Sequence, residues 1–243
     1  MRLRAVVAFL LAVLLLLTPA PAQADPPVLK VMTIGDSTVT LGHWQAEFCR
    51  ILELETGTVC DLRNEAVGGT KCNYWPSRVA GLMATHSPDL VIFTCGTNDH
   101  IGETMWGEPA TSWAFRATVE TIKAAKPSVK IVPVLIQYAD PLLPGSPQLL
   151  TDWIPVTNDR LYSQMLLYPG WFPGIVDWQL IPSNATYLDT TGFHATAKGD
   201  LYRGRLVYDR IHAGMGWPAA SEPALCDLYG HRKGYTRPSY TPC

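Results

Sequence analysis

Five short apolar segments rich in β-branched residues recur along the chain, and each is bounded by Gly, Pro, Asp or Asn. They cover residues 28–34, 58–62, 90–95, 130–136 and 175–178. Strands whose two faces are both covered have this continuous apolar character. The pattern therefore predicts five strands of a buried sheet.

Longer stretches with helical spacing of apolar residues lie between and after these strands. They cover residues 44–54, 76–83, 112–125 and 197–212. The residues expected on the inner face of the last helix are Leu201, Leu206, Val207 and Ile211. Alternating strands and helices favour an α/β fold with a parallel sheet covered on both faces. The Pro-rich segment 138–155 lacks strong periodicity, so we predict a loop there, either over the site or at an ordinary surface position.

The first 24 residues have the layout of a cleavable secretory signal. Arg2 and Arg4 precede an apolar stretch at 5–17, and Ala22-Gln23-Ala24 ends the segment. The apolar stretch is shorter than the ~20 residues that a membrane span requires. We therefore expect residues 1–24 to be a signal peptide and residues 25–243 to form a single secreted domain without stable membrane insertion.

Charge and motif content exclude several classes of function. The formal net charge of the 243 residues is −2, and removal of Arg2 and Arg4 makes it more negative. Because no basic run is present, we expect no nucleic-acid partner. The sequence contains no phosphate loop, dinucleotide fingerprint or metal-ligand spacing, so we expect no cofactor and no metal. We expect the protein to be a monomer.

The chain contains six cysteines, an even number that favours disulfides in an exported protein. Proximity in the sequence suggests Cys49 with Cys60 and Cys226 with Cys243, which leaves Cys72 with Cys95. The Cys226–Cys243 bridge would tie down the C-terminal tail.

Polar motifs follow the first three predicted strands. These motifs are Gly35-Asp36-Ser37, the segment 64–69 and Gly96-Thr97-Asn98-Asp99, and a cluster at 190–196 contains His194. Ligands of an open parallel sheet collect at the carboxyl ends of its strands. A serine there and a distant histidine suggest a hydrolase, since acyl transfer needs a hydroxyl activated by a base.

In these four blocks, taken in order over nearly all of the mature chain, the sequence resembles the SGNH hydrolases, also called the GDSL esterase/lipase family. Its Gly-Asp-Ser-Thr start is similar to that of the carbohydrate acetylesterase branch. The resemblance implies a three-layer α/β/α sandwich with a mostly parallel five-stranded sheet of the flavodoxin-like type. It also implies a carboxylic ester hydrolase that works without a cofactor.

By the same resemblance, Ser37 is the nucleophile, Gly69 the second-block glycine, Asn98 the third-block asparagine and His194 the base. The amides of Ser37 and Gly69, with the side chain of Asn98, would form an oxyanion hole. Asp36 is interpreted as a structural hydrogen-bonding residue that fixes the turn beneath Ser37.

The chain departs from the family pattern three residues before His194, where Thr191 stands in place of the usual Asp. We consider three ways to orient the ring: Asp189 reaches it, a backbone carbonyl holds it, or the Thr191 hydroxyl accepts its proton. Asp189 is our candidate for the third triad member, and Asp177 is an outside candidate. A hydroxyl or carbonyl supplies less negative charge than a carboxylate, which would lower activity.

These residues favour a secreted serine esterase that works through a Ser37 acyl-enzyme. By resemblance, the preferred substrates are acetylated carbohydrates, followed by lipid or other small esters. Thr191 motivates an alternative, a catalytically weakened glycan-binding protein with the same fold. Acyl transfer to an acceptor other than water is a further alternative, because it uses the same intermediate.

Overall fold

Strands and helices alternate along the chain in the computed structural model, which describes residues 25–99, 110–140, 142 and 148–221. The strands are β1 (Val28–Ile34), β2 (Val59–Asn64), β3 (Leu90–Phe93), β4 (Lys130–Leu135) and β5 (Val176–Asp177). The helices of the described residues are α1 (Ser37–Thr40), α2 (Trp44–Thr56), α3 (Val79–His86), α4 (Ala110–Ala125), α5 (Gln148–Met165) and α6 (Ala197–Met215). Two short 3₁₀ helices lie at Cys72–Tyr74 and Trp178–Leu180.

The five strands form one sheet in the order β2-β1-β3-β4-β5, and every pairing is parallel. In this register, Val31 lies opposite both Leu62 and Leu90. The carboxyl ends of β1 and β3 therefore lie side by side, where ligands of such sheets collect. All five predicted strands are confirmed, with limits that differ by at most two residues.

The sheet has a hydrophobic core on each face, because successive side chains of a strand point to opposite sides. One core contains Val31, Ile92, Phe48 of α2 and Leu206 of α6. The other contains Met32, Val91, Val79 of α3, Phe115 of α4 and Leu161 of α5. Helices thus cover both faces, and the prediction of a three-layer α/β/α sandwich is confirmed.

Two disulfides join the described residues, one between Cys49 and Cys60 and the other between Cys72 and Cys95. Both were predicted. The first ties α2 to β2, and the second ties the segment after β2 to the end of β3. The predicted Cys226–Cys243 bridge and the signal segment 1–24 lie outside the described residues.

The prediction of a loop over residues 138–155 is wrong for its second half, because α5 begins at Gln148. Pro155 lies inside this helix, and it lacks the amide that an interior helical residue normally donates. The inner face of α5 also contains polar residues, among them Thr157 and Asn158, which are both buried. The Asn158 side chain donates to and accepts from the backbone of Ile136 just after β4. Proline and buried polar groups together obscure the apolar period.

The prediction that Leu201 lies on the inner face of α6 is also wrong, since this side chain is 49% exposed. Leu206, Val207 and Ile211 are buried as expected. Arg203 is buried on α6 as well, so a charged residue takes an inner position that a hydrophobic pattern cannot anticipate.

Gly204 allows α6 to approach α2 closely, and we expect Gly204→Ala to destabilise the fold. A Cβ at this position would lie 2.4 Å from the Trp44 carbonyl oxygen and 2.8 Å from Glu47 Cβ. Overpacking of this kind costs about 1–3 kcal/mol in the free energy of unfolding, measurable by urea denaturation.

Gly81→Ala is the matched control for this substitution. Gly81 lies within α3, and a Cβ there would have no neighbour within 4 Å. Replacing a helical glycine at an open position stabilises a protein by roughly 0.5–1 kcal/mol. An equal stabilisation by both substitutions would contradict the close approach of α2 and α6.

Candidate active site

Ser37 is presented by a sharp transition from β1 into the short helix α1. Asp36 caps this helix, and its Oδ1 accepts hydrogen bonds from the Thr38 amide at 2.9 Å and the Thr38 hydroxyl at 2.8 Å. Burial of the Asp36 carboxyl raises its pKa above the ordinary value. The interpretation of Asp36 as a residue that fixes the turn beneath Ser37 is confirmed.

The imidazole of His194 reaches Ser37 from the opposite end of the chain. Its Nε2 lies 2.9 Å from Ser37 Oγ, although the two residues are 157 positions apart in the sequence. His194 lies in the segment just before α6, and α6 packs against α2. The structure therefore brings together the two side chains that a base-activated serine requires.

The other ring nitrogen of His194 faces a threonine hydroxyl instead of a carboxylate. Thr191 Oγ1 lies 3.1 Å from Nδ1, while Asp189 Oδ2 lies 3.9 Å from it, beyond hydrogen-bond distance. Thr191 in turn donates its hydroxyl proton to Asp189 Oδ1, and its amide donates to the same oxygen at 2.9 Å. Among the described residues, no backbone carbonyl bonds to Nδ1. Of the three ways to orient the ring, the geometry therefore fits the Thr191 hydroxyl, which is itself bonded to the Asp189 carboxylate.

The proton positions along this chain of groups are mutually consistent. A threonine hydroxyl has one proton, and Thr191 gives it to Asp189. Its oxygen can then only accept from His194 Nδ1–H, so the neutral ring carries its proton on Nδ1. The lone pair of Nε2 then faces the hydroxyl of Ser37.

Gly69 and Asn98 lie in the two segments that flank Ser37. A Cβ on the preceding Gly68 would lie 3.9 Å from Ser37 Cβ, so this segment runs past the serine. Gly69 has a positive φ of 76°, a conformation that favours glycine. Asn98 Nδ2 donates to the Thr70 carbonyl at 3.0 Å, and within the described part of the chain no other group accepts from this amide.

Sequence analysis missed Asp99, which helps to hold these two segments together. The buried carboxylate of Asp99 accepts from the Cys72 amide at 3.0 Å and from the Thr111 hydroxyl at 2.9 Å. The Cys72–Cys95 disulfide links the same segments covalently. Asp99 is adjacent to Asn98 in the Gly-Thr-Asn-Asp motif, which was the available signal for its role. Together these contacts limit the movement of Gly69 relative to Asn98.

The environment of His194 favours its neutral form. Partial burial lowers the pKa of His194 below its usual value of 6.5. The nearby Asp189 carboxylate acts in the opposite direction, and the Arg203 cation adds to the lowering. The ring is therefore available to accept a proton at neutral pH.

A sequence model of the GDSL-like lipase/acylhydrolase family matches residues 33–212. The chain belongs to this family. The predicted resemblance is confirmed, and so is the prediction of a carboxylic ester hydrolase of the GDSL type. No curated protein sequence matches the chain significantly.

Solved structures of similar fold include two esterases and a GDSL-like lipase. The Clostridium thermocellum family 3 carbohydrate esterase has a TM-score of 0.60 at 19% identity, over 78% of this chain and 98% of its own. The psychrotrophic esterase EstA from Pseudoalteromonas sp. has a TM-score of 0.60 at 14% identity, over 77% and 98%. A putative GDSL-like lipase from Parabacteroides merdae has a TM-score of 0.61 at 12% identity, over 81% and 99%. At identities this low, the likeness between these structures and our protein shows a shared fold and nothing more.

The described part of this family member has neither a metal cluster nor a membrane-spanning helix. Within residues 25–99, 110–140 and 148–221, no group of three or more His, Cys, Asp or Glu side chains has the arrangement of a metal site. No helix in the described part of the chain has the length and apolar character needed to cross a bilayer.

Asp177, the outside candidate for orienting the base, accepts a hydrogen bond from the Gln179 amide at 2.9 Å, at the start of a 3₁₀ helix.

We expect His194 of this GDSL protein to titrate with a midpoint below 6.5, measured by NMR on the assigned imidazole resonances. Asp189→Asn should lower the midpoint further, because it removes a negative charge that favours the imidazolium. Asp61→Asn, on the outer strand β2, is the control and should leave the midpoint unchanged. A rise of the midpoint in Asp189→Asn would contradict the proposed electrostatics.

Proposed function

We propose that this protein is a secreted serine esterase that hydrolyses carboxylic esters through an acyl-enzyme on Ser37. The observation that carries the proposal is the 2.9 Å contact between His194 Nε2 and Ser37 Oγ. A serine hydroxyl is a weak nucleophile unless a base accepts its proton. His194, held neutral by its surroundings, is that base.

In the acylation step, Ser37 Oγ attacks the ester carbonyl carbon and His194 Nε2 takes the hydroxyl proton. The carbonyl oxygen becomes an oxyanion that accepts from the amides of Ser37 and Gly69 and from the side chain of Asn98. The amide of Ser37 stands at the first helical position, where an amide has no partner within the helix. His194 then returns its proton to the departing alcohol, and the Ser37 acyl ester remains.

In the deacylation step, water repeats the attack on the acyl carbon. His194 accepts a proton from the water and gives it to Ser37 Oγ as the second tetrahedral intermediate breaks its bond to that oxygen and releases the acid. The same donors stabilise both oxyanions. Hydrolysis therefore needs only the residues already present at the edge of the sheet.

Thr191 and Asp189 orient the base in this proposal. When His194 becomes charged, its Nδ1–H donates to Thr191 Oγ1, and the bond from Thr191 to Asp189 polarises that hydroxyl. The Asp189 side chain is 39% exposed, so solvent weakens its effect on the ring. The presence of a connected hydroxyl and carboxylate favours catalysis over the glycan-binding alternative that Thr191 motivated.

The substrates we propose are short acyl esters, above all acetyl groups on carbohydrate. The support comes from the Gly-Asp-Ser-Thr start of the first block and from the fold shared with a family 3 carbohydrate esterase. Secretion is supported by the signal-like residues 1–24 and by two disulfides, which persist in oxidising compartments.

A fluorophosphonate label tests the proposed nucleophile directly. We expect the wild-type protein to be labelled and to hydrolyse p-nitrophenyl acetate, and Ser37→Ala to lose both properties. Ser163→Ala, at an exposed position of α5, is the matched control and should retain both. Asn98→Ala should stay labelled while its turnover falls by about 10²–10³-fold.

Substrate class is tested with p-nitrophenyl esters of increasing acyl length and with acetylated oligosaccharides. The expected result is highest kcat/KM for acetyl esters and release of acetate from the sugars. Absence of both labelling and turnover would overturn the esterase. Labelling with a preference for long acyl chains, and no acetate release, would overturn only the carbohydrate substrate.

The contact between Thr191 and His194 predicts that Thr191→Val lowers kcat by about 10–10²-fold. Valine keeps the shape of the side chain but leaves Nδ1–H without its partner, which costs roughly 1–3 kcal/mol. Thr191→Ser keeps the hydroxyl and should retain activity within a few-fold, as should Thr190→Val at the neighbouring exposed position.

A double-mutant cycle with Asp189→Asn tests whether the carboxylate acts through the hydroxyl. If it does, Thr191→Val with Asp189→Asn loses about as much kcat as Thr191→Val alone. Additive losses would show that Asp189 acts on the ring without Thr191.

A further inference from the structure

Arg203 is a buried cation directly behind the site, and the mechanism above does not use it. Its side chain is 1% exposed and projects from α6. None of its contacts among the described residues is an ion pair within 4.0 Å. Burial lowers the pKa of Arg203 to about 10, so the side chain stays charged at neutral pH. Three carboxylates raise this pKa from beyond ion-pair distance, those of Asp200, Asp36 and Asp189.

The guanidinium bridges the two segments that carry the reacting side chains. Nη1 donates to the Thr38 carbonyl at 3.4 Å, and Nη2 donates to the Phe193 carbonyl at 3.3 Å. Thr38 directly follows Ser37, and Phe193 directly precedes His194. One rigid planar group therefore contacts the residue next to the nucleophile and the residue next to the base.

Two further contacts fix the plane of this group. Nε and Nη2 donate to Gln137 Oε1 at 3.2 and 3.0 Å, and Gln137 lies two residues after β4. The guanidinium carbon lies 4.7 Å from the centre of the buried Trp178 ring, which favours a cation. An apolar side chain could fill the same space without the loss of hydration that burying a charge entails. What arginine adds is donors directed at two carbonyls in a fixed fork.

We infer that Arg203 is a positioning residue that sets the separation of Ser37 and His194 by bonding both of their neighbouring carbonyls. This inference rests on the proposed esterase function. Because a shift of about 1 Å between reacting groups can cost around 10²-fold in rate, loss of the bridge lowers kcat more than it changes KM.

The charge of Arg203 also acts on His194, which gives a second, independent readout. The charged groups that act on the ring are Asp189 and Asp36, which raise its pKa, and Arg203, which lowers it. The rate rises with pH as His194 loses its proton. Removing the Arg203 cation therefore raises the pKa of His194. The rising part of the pH–rate profile, its acidic limb, then moves to higher pH.

The test compares Arg203→Lys, Arg203→Met and the matched control Arg205→Lys, with p-nitrophenyl acetate as substrate. Arg205 is 5% exposed on the same helix but pairs with Asp209 at 2.9 Å. We expect kcat per fluorophosphonate-labelled site to fall about 10–10²-fold in both Arg203 variants, with KM within about threefold. The acidic limb should move up only in Arg203→Met, and Arg205→Lys should match wild type.

Each outcome decides the inference. Wild-type kcat and an unmoved limb in folded Arg203 variants would overturn it, as would a lower melting temperature with no change per labelled site. Should Arg203→Met fail to fold, Arg203→Lys decides, because its kcat either falls or stays at the wild-type value. Absence of label on wild-type Ser37 would instead overturn the esterase function itself.

Discussion

The hydrogen bond between Ser37 and His194 is the interaction on which the rest of the site depends. It joins a residue at the end of β1 to one just before α6, at a distance of 2.9 Å. The parallel sheet supplies the edge where Ser37 and Asn98 emerge from neighbouring strands. The histidine has no strand to carry it, so its position depends on how closely α6 packs on α2. The close approach at Gly204 serves this packing, and Arg203 joins α6 to Thr38 of α1 and to Phe193, the residue before His194.

The buried charges of the site are arranged around this contact. Arg203 lies near three carboxylates that raise its pKa without forming an ion pair with it, those of Asp36, Asp189 and Asp200. In a region of low dielectric constant, such separated charges still interact strongly. Asp36 stabilises the helix of the nucleophile through Thr38, and Arg203 contacts the Thr38 carbonyl. Asp36 and Arg203 therefore both stabilise the backbone next to Ser37, and Arg203 also bonds the residue before His194.

The five strands could be predicted because their apolar runs are continuous and lie between turn residues, and motif order placed Ser37 and His194. Helix α5 could not, because Pro155 and the buried Thr157 and Asn158 interrupt its apolar period. The sequence leaves the partner of His194 open among three choices, because side-chain direction within a turn decides between Asp189 and Thr191. Arg203 gave no sequence signal, because a buried charge on a helix has the same pattern as an exposed one.

In the proposed mechanism, Thr191 sets both the tautomer and the strength of the base His194. Its single proton is bonded to Asp189, so its oxygen can only accept from the ring, and the tautomer with Nδ1–H is selected. The charge of the imidazolium, however, meets a hydroxyl dipole where a carboxylate would form a stronger bond. Burial and Arg203 lower the pKa of His194 in the same sense, which makes it a weaker base and its cation a stronger acid. Such a residue gives its proton readily to a leaving group, and an alcohol departs more easily than the amine of an amide. In the proposed mechanism, the same lowering of the pKa therefore assists proton transfer to the departing alcohol and limits the activation of Ser37.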